Sequence, residues 1–237
     1  MSSIADNIGS VTRRIQKATL TAGREPGSAR LLAVSKTRTP EELRAAVDAG
    51  QVAFGENYLQ EALDKMQALS DLSQIEWHFI GPIQSNKTRQ IAESFAWVHS
   101  ADRLKIARRL SEQRPTALPP LNLCLQVNIN SEDSKSGCTL TDLPELIAAV
   151  GELPNIRLRG LMAIPDPDQS EAELRLSFRK LANALRAVRQ EHPEAGPLDT
   201  LSMGMSDDLE IAIAEGATWV RVGTALFGAR PPKHSLS

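Results

Sequence analysis

Ile4, Ile8, Val11, Ile15 and Ala18 fall on one face of a 3.6-residue period and predict an amphipathic helix that opens the chain and ends at the Gly23 to Gly27 turn. Leu31, Leu32, Ala33 and Val34 follow as an unbroken apolar run. That run leaves no polar position for a solvated face, as in a parallel strand covered on both sides. Thr39-Pro40-Glu41-Glu42 then supplies a capping box with proline at the first helical position and predicts a helix to Gly50. Strand followed by helix recurs along the rest of the chain, with strands predicted over 52–57, 75–81, 97–100, 122–129, 158–164, 200–205 and 219–227. Between them lie helical patterns over 86–95, 103–113, 143–150 and 207–215. The longest carries Leu174, Phe178, Leu181, Leu185 and Val188 as one apolar stripe.

About eight strands alternating with helices match an α/β fold, a single (β/α)8 TIM barrel with an extra N-terminal helix, in number, order and size. A doubly wound open sheet is the alternative. Neither a GxGxxG turn after the first strand nor a Walker-type glycine-lysine loop is present, which favours the barrel. The proline-rich joint at 115–120 reads as a turn inside the pattern, so residues 1–237 are expected to form one domain.

Composition narrows the function. Hydrophobic residues make up 41% and charged residues 24% of 237, with a formal net charge of −2, so no basic footprint invites nucleic acid or an anionic membrane. Cys124 and Cys138 are too few for a disulfide framework, and His78, His99, His192 and His234 lack metal-ligand spacing. No signal peptide or membrane-spanning run is visible, and a cytoplasmic protein without a metal centre is expected.

In a barrel the carboxyl ends of the strands would bring Lys36, Asn57, Gly81, Ser100, Asn128, Met162, Met205 and Gly223 to one rim, where ligands collect in this fold. A lysine partly desolvated there has a lowered pKa and offers the neutral amine that a Schiff base needs; the plainer reading is a surface lysine paired with a carboxylate. Ser206 is expected to cap the helix that follows it, and its amino end, with Gly223 and Thr224 after the last strand, would offer amide hydrogens to a phosphate, which Asp207 and Asp208 would oppose unless they point away. Arg221 sits in an apolar strand and shares parity with Gly223, so it points inward, toward either a carboxylate such as Asp199 or Glu56 or a ring nitrogen of a bound cofactor. In the fifth strand Leu121, Leu123, Leu125, Val127 and Ile129 alternate with Asn122, Cys124, Gln126, Asn128 and Asn130, so one face cannot be a dry core. His78 differs in parity from Trp77 and Phe79 and is read as a hydrogen-bonded structural histidine rather than a general base.

Five segments together carry a resemblance. They are Ala33-Val34-Ser35-Lys36-Thr37; Phe54-Gly55-Glu56-Asn57-Tyr58; the run from Trp77 through Gly81-Pro82-Ile83-Gln84-Ser85 to Lys87; Leu201-Ser202-Met203-Gly204-Met205-Ser206-Asp207-Asp208; and Arg221-Val222-Gly223-Thr224-Ala225-Leu226-Phe227-Gly228. In this order they resemble the pyridoxal phosphate homeostasis (YggS/PROSC) family, over nearly the whole chain. The resemblance implies a barrel like the N-terminal domain of alanine racemase. Pyridoxal 5′-phosphate (PLP) would be joined to Lys36 as an internal aldimine, Arg221 would face the pyridine nitrogen, Asn57 would line the ring, and Ser206, Gly223 and Thr224 would hold the phosphate. Met203 and Met205 would lie near the cofactor or pack in the core.

Alanine racemases set a tyrosine from an additional C-terminal β-domain opposite the lysine. The only tyrosine here, Tyr58, does not match that position. The family therefore implies a non-catalytic PLP carrier with a role in vitamin B6 homeostasis, a monomer whose partners are PLP and the PLP-dependent apoenzymes that receive it. The alternative is a single-domain amino-acid racemase. A Schiff-base aldolase of sugar phosphates shares the barrel and the phosphate site but would be colourless.

Overall fold

The structure is a computed structural model that describes residues 2–133 and 136–230. Eight parallel strands, β1 (Arg30–Val34), β2 (Ala53–Glu56), β3 (Glu76–Phe79), β4 (Trp97–Ala101), β5 (Leu121–Gln126), β6 (Ile156–Met162), β7 (Thr200–Ser202) and β8 (Trp219–Val222), close in chain order into a barrel. β1 completes the ring against β8, with Leu32 opposite Arg221 and Ala33 opposite Val222. The helices are α1 (Ile4–Thr21), α2 (Pro40–Asp48), α3 (Leu59–Ala68), α4 (Thr88–Ser94), α5 (Leu104–Gln113), α6 (Leu143–Gly151), α7 (Glu171–Glu191), α8 (Leu209–Ala214) and α9 (Thr224–Phe227). Among the described residues no helix is long and apolar enough to cross a membrane.

Local chemistry explains these elements. Ser3, Thr39 and Ser170 each accept the amide of the third helical residue while an acidic side chain there returns the bond, so α1, α2 and α7 begin on capping boxes. α1 buries Ile8, Val11 and Ile15, and its Asn7 and Arg14 reach the carbonyls of Leu226 and Ser206, tying the extra helix to the loops after β7 and β8.

The core has two compartments because side chains alternate across each strand. Outward residues such as Phe54, Phe79, Val98, Leu123, Leu125 and Leu161 meet the helices. Inward residues Leu32, Ala53, Trp97, Cys124, Met162 and Trp219 fill the barrel with His78. The His78 ring stacks on Trp97 at 5.3 Å and meets Trp219 edge-on at 4.9 Å. As the alternation in β5 implied, the interior also holds polar groups: His78, His99, Ser202 and Arg221 are all buried.

Several expected boundaries shift. The last strand stops at Val222, and Thr224 to Phe227 turn into α9, whose first amides are no longer part of the ladder. β3 and β5 end earlier than expected: Ile80 and Gly81 already belong to a loop, and Val127 makes only an isolated bridge to Cys138.

Candidate functional site

A cavity of about 540 Å³ opens at the carboxyl ends of the strands; Lys36, Asn57, Met205, Ser206, Arg221, Gly223 and Thr224 all contribute to its wall. A smaller space of about 380 Å³ next to it shares Asn57 and adds Ser100 and Asn128. Gly81 supports Asn57 from behind: a Cβ there would meet the Asn57 carbonyl oxygen at 2.2 Å, so only glycine lets the β2 and β3 exits approach. Met162 departs from expectation. It is fully buried in the barrel interior one layer down, and Ile164 occupies the rim position instead, because β6 runs on to Met162 before the chain turns.

Lys36 is partly buried, and its amine has no hydrogen-bond or ion-pair partner among the described residues. Burial, with the nearby Arg230, pushes its pKa below the ordinary lysine value. The buried Lys65 behind it is the opposite case: its ammonium donates to Ser35 O (2.6 Å), Glu56 Oε1 (2.8 Å) and Glu61 Oε1 (2.7 Å). Of these two, only Lys36 presents a free nucleophile. Thr37, next in the chain, holds φ at 66°, an uncommon setting for a β-branched residue, while its amide donates to Glu61. Arg38 locks the same loop to Phe227 O (3.1 Å) and Gly228 O (2.6 Å). The lysine thus projects from a tightly held turn. Lys135 lies outside the described residues, as do His234 and the rest of 231–237.

Arg221 is buried at 5% exposure and points inward, but neither expected carboxylate meets it. Asp199 pairs with Arg159 and Glu56 with Lys65. Arg221 instead donates to Ser202 Oγ (2.8 Å) and Ala163 O (3.0 Å). Burial lowers its pKa to about 10, and the charge of Asp208 partly opposes that fall. At neutral pH it remains a cation held in place by neutral acceptors.

Ser206 is not the helix cap expected for it. It lies in a turn, and α8 starts only at Leu209 with Asp208 at the cap position. The Asp208 carboxylate accepts the Met205 amide at 2.7 Å, which tightens the turn and leaves Ser206 facing the cavity. Arg14 fixes the Ser206 carbonyl from α1 at 2.8 Å. Gly204, at φ 96°, makes the bend possible; a Cβ there would strike Ala212 Cβ at 2.5 Å. On the facing side, the amides of Gly223, Thr224 and Ala225 have no protein acceptor among the described residues. Ser206, Gly223 and Thr224 therefore lie together as a polar cradle. Met205 lines the cavity, whereas Met203 is wholly in the outer core.

His78 is fully buried and bonded at both ring nitrogens, to His99 and to Glu76, in keeping with the structural reading. Sequence reasoning missed His99 and Ser202, the latter being the acceptor for Arg221. Both sit at inward positions of their strands, a signal that parity alone could have revealed. A hollow of about 650 Å³ lies at the opposite mouth, between α1 and Trp219. It is larger than the rim cavity, but Lys36 and Arg221 are not part of its wall.

An unpaired lysine after the first strand, a fixed guanidinium on the last and a polar cradle beside them mark the rim of this parallel barrel as its candidate ligand site. The chain belongs to the alanine racemase N-terminal domain family, whose profile matches residues 7–231, and within it to the pyridoxal phosphate homeostasis proteins. It is 62% identical over 230 residues to the pyridoxal phosphate homeostasis protein of Pseudomonas aeruginosa, covering 97% of both chains. The structure of PipY from Synechococcus elongatus with PLP bound is similar at TM-score 0.84 and 37% identity, covering 95% of this chain and all of that one. Alanine racemase from Corynebacterium glutamicum shares the fold at TM-score 0.67 and 19% identity, over 98% of this chain and 61% of that one.

The residues present fit PLP. Asn57 Oδ1 is buried at the cavity wall without a hydrogen-bond partner, the Lys36 amine is free, and the cradle offers donors suited to a phosphate.

Proposed function

We propose that this chain binds PLP at the rim cavity, joined to Lys36 as a Schiff base, and serves vitamin B6 homeostasis by holding the cofactor and handing it to PLP-dependent apoenzymes. Residues 1–237 act as one barrel domain, monomeric and cytoplasmic. The single observation that carries this reading is the free Lys36 amine sharing one cavity with Arg221, the unpartnered Asn57 oxygen and the Ser206, Gly223 and Thr224 cradle. The PLP-bound PipY structure, similar over nearly the whole chain, supports the ligand.

Lys36 Nζ would take the aldehyde carbon, Arg221 would face the ring nitrogen, Asn57 would line the ring, and Ser206, Gly223 and Thr224 would hold the phosphate. When bound, PLP supplies an electron sink for chemistry at an amino acid's α-carbon. Arg221 works against that chemistry, because a guanidinium can only donate and so keeps the ring nitrogen unprotonated. Tyr58, the chain's single tyrosine, is exposed at the start of α3 and is not among the residues of the cavity wall. The described wall therefore offers no tyrosine to act opposite Lys36. Both features support a carrier over a racemase.

The test is spectroscopic. Mixing purified protein with PLP gives a yellow absorbance band that borohydride abolishes, leaving the pyridoxyl group on the Lys36 peptide. Lys36→Ala loses the band and keeps its unfolding midpoint. Recovery of the label on Lys65 or Lys87 instead, or a band that persists in Lys36→Ala, defeats the assignment.

A further inference from the structure

A run of hydrogen bonds crosses the barrel interior from the mouth opposite Lys36 up to Arg221. Glu76 Oε1 lies 2.7 Å from His78 Nε2, and His78 Nδ1 lies 2.8 Å from His99 Nε2. His99 Nδ1 lies 2.7 Å from Ser202 Oγ, which accepts from Arg221 Nη1 at 2.8 Å. The members come from β3, β4, β7 and β8. All but Glu76, whose side chain is 40% exposed at the lower mouth, are buried.

The two ends determine every proton between them. A guanidinium only donates and an ionised carboxylate only accepts. Ser202 therefore accepts from Arg221 and gives its one hydroxyl hydrogen to His99 Nδ1. His99 then carries its hydrogen on Nε2 and donates to His78 Nδ1, and His78 carries its hydrogen on Nε2 and donates to Glu76. The reverse order would need a protonated Glu76 and would leave the Ser202 hydroxyl hydrogen without an acceptor among the described residues. Burial pushes both imidazoles below their ordinary pKa, and the bond from His78 holds Glu76 low, so the charges at the two ends match this order. Around the run, Arg30 and Arg159 face Glu76, with Asp199 paired to Arg159, while Asp208 and Cys124 are the titratable neighbours of Arg221.

We propose that Glu76 is a positioning residue for Arg221: by fixing the direction of this relay it keeps the Ser202 lone pairs turned to the guanidinium, and so holds Arg221 in the orientation that meets the cofactor ring. This rests on the reading of the rim cavity as a PLP site.

Two measurements test it. Nitrogen-15 NMR of histidine-labelled protein without cofactor reads the tautomers directly; both His78 and His99 are expected as neutral rings protonated on Nε2. PLP affinity is then compared in Glu76→Ala, Ser202→Ala and the double variant. A typical hydrogen bond is worth roughly 3- to 10-fold in affinity, so Glu76→Ala, which acts on Arg221 only through the relay, should weaken PLP by that factor. In the Ser202→Ala background the same change should cost less than about 2-fold, since the relay is already cut. Glu76→Gln, which keeps an acceptor oxygen toward His78, should return affinity to within about 2-fold of wild type. A proton on His99 Nδ1 in the wild type, an unchanged affinity in Glu76→Ala, or losses that simply add would each overturn the proposal. Failure of PLP to attach to Lys36 would remove the reading of the rim cavity instead, and the tautomers of the cofactor-free protein would still decide the relay.

Discussion

Acidification should destabilise this protein through the two histidines inside its barrel. His99 is held well below its ordinary pKa of 6.5, first by burial and then by His78 and Arg221, and His78 is lowered by burial against the opposing pull of Glu76. Well above 6.5 both rings are neutral in the folded and unfolded chains, and neither contributes to the pH dependence. As pH falls below 6.5 the unfolded chain binds protons that the fold refuses, so stability is lost on the acid side. An imidazole that stays neutral in the fold between about pH 7 and about pH 5 costs about 2 kcal/mol of stability over that interval. His99 should supply the full amount and His78 a part, for a total between about 2 and about 4 kcal/mol. Glu76 acts in a different window: its depressed pKa gives stability that is present above the ordinary value of 4.5 and lost only as pH falls further. Urea unfolding followed by tryptophan fluorescence at several pH values measures the slope, with His99→Gln as control. That variant should be less stable at pH 7 yet flatter with pH, because one titrating ring is gone. A wild-type loss below about 1 kcal/mol across the interval, or an unchanged slope in His99→Gln, would refute the reasoning.

Two further outcomes are expected at the rim. Thr224→Val should weaken PLP by roughly 10-fold while leaving pyridoxal nearly unaffected, because only PLP loses a charge-assisted contact at the cradle; equal weakening of both in equilibrium dialysis would put the anion elsewhere. Protein loaded with PLP should exchange the α-hydrogen of alanine and other amino acids for solvent deuterium far more slowly than ordinary enzymes turn over. Exchange that depends on Lys36 at about 1 s⁻¹ or faster would favour the racemase reading.

Much of this molecule was legible in its sequence because the barrel repeats one local rule. Apolar runs such as Leu31 to Val34 and stripes such as Leu174 to Val188 predict β1 and α7 without reference to any neighbour. Parity carried Arg221 inward, where the structure has it. Long-range partners were not legible. Parity puts Ser202 and Asp199 on opposite sides of β7, but nothing local says that the inward Ser202 lies within reach of Arg221, which depends on how β7 and β8 are placed in the barrel. Lys36 and Lys65 likewise differ only in context: one stands alone and the other meets three oxygens gathered from β1's exit, β2 and α3. The start of α8 was placed too early because the Asp208 carboxylate turns back to the Met205 amide, which converts a potential first turn of helix into a loop.

Electrostatics connect these details to the carrier reading. Lys36, Arg221 and Arg230 all border the rim cavity, and none has a carboxylate partner at ion-pair distance among the described residues. Part of the depression of Lys36 comes from Arg230, whereas burial depresses Arg221 against the charge of Asp208; Glu171, Asp207 and Asp208 line the same cavity, so its wall carries both signs of charge. A phosphate-bearing ligand would bring a counter-charge to Lys36 and Arg221, which have no ion-pair partner among the described residues. Pyridoxal without its phosphate does so far less. On the proposed reading Arg221 would also make the ring a poor sink, because a permanent donor at its nitrogen opposes the charge that α-carbon chemistry would place there. A ligand at 100 times its dissociation constant stabilises a fold by about 2.7 kcal/mol, so PLP bound as proposed would raise the unfolding midpoint of this protein.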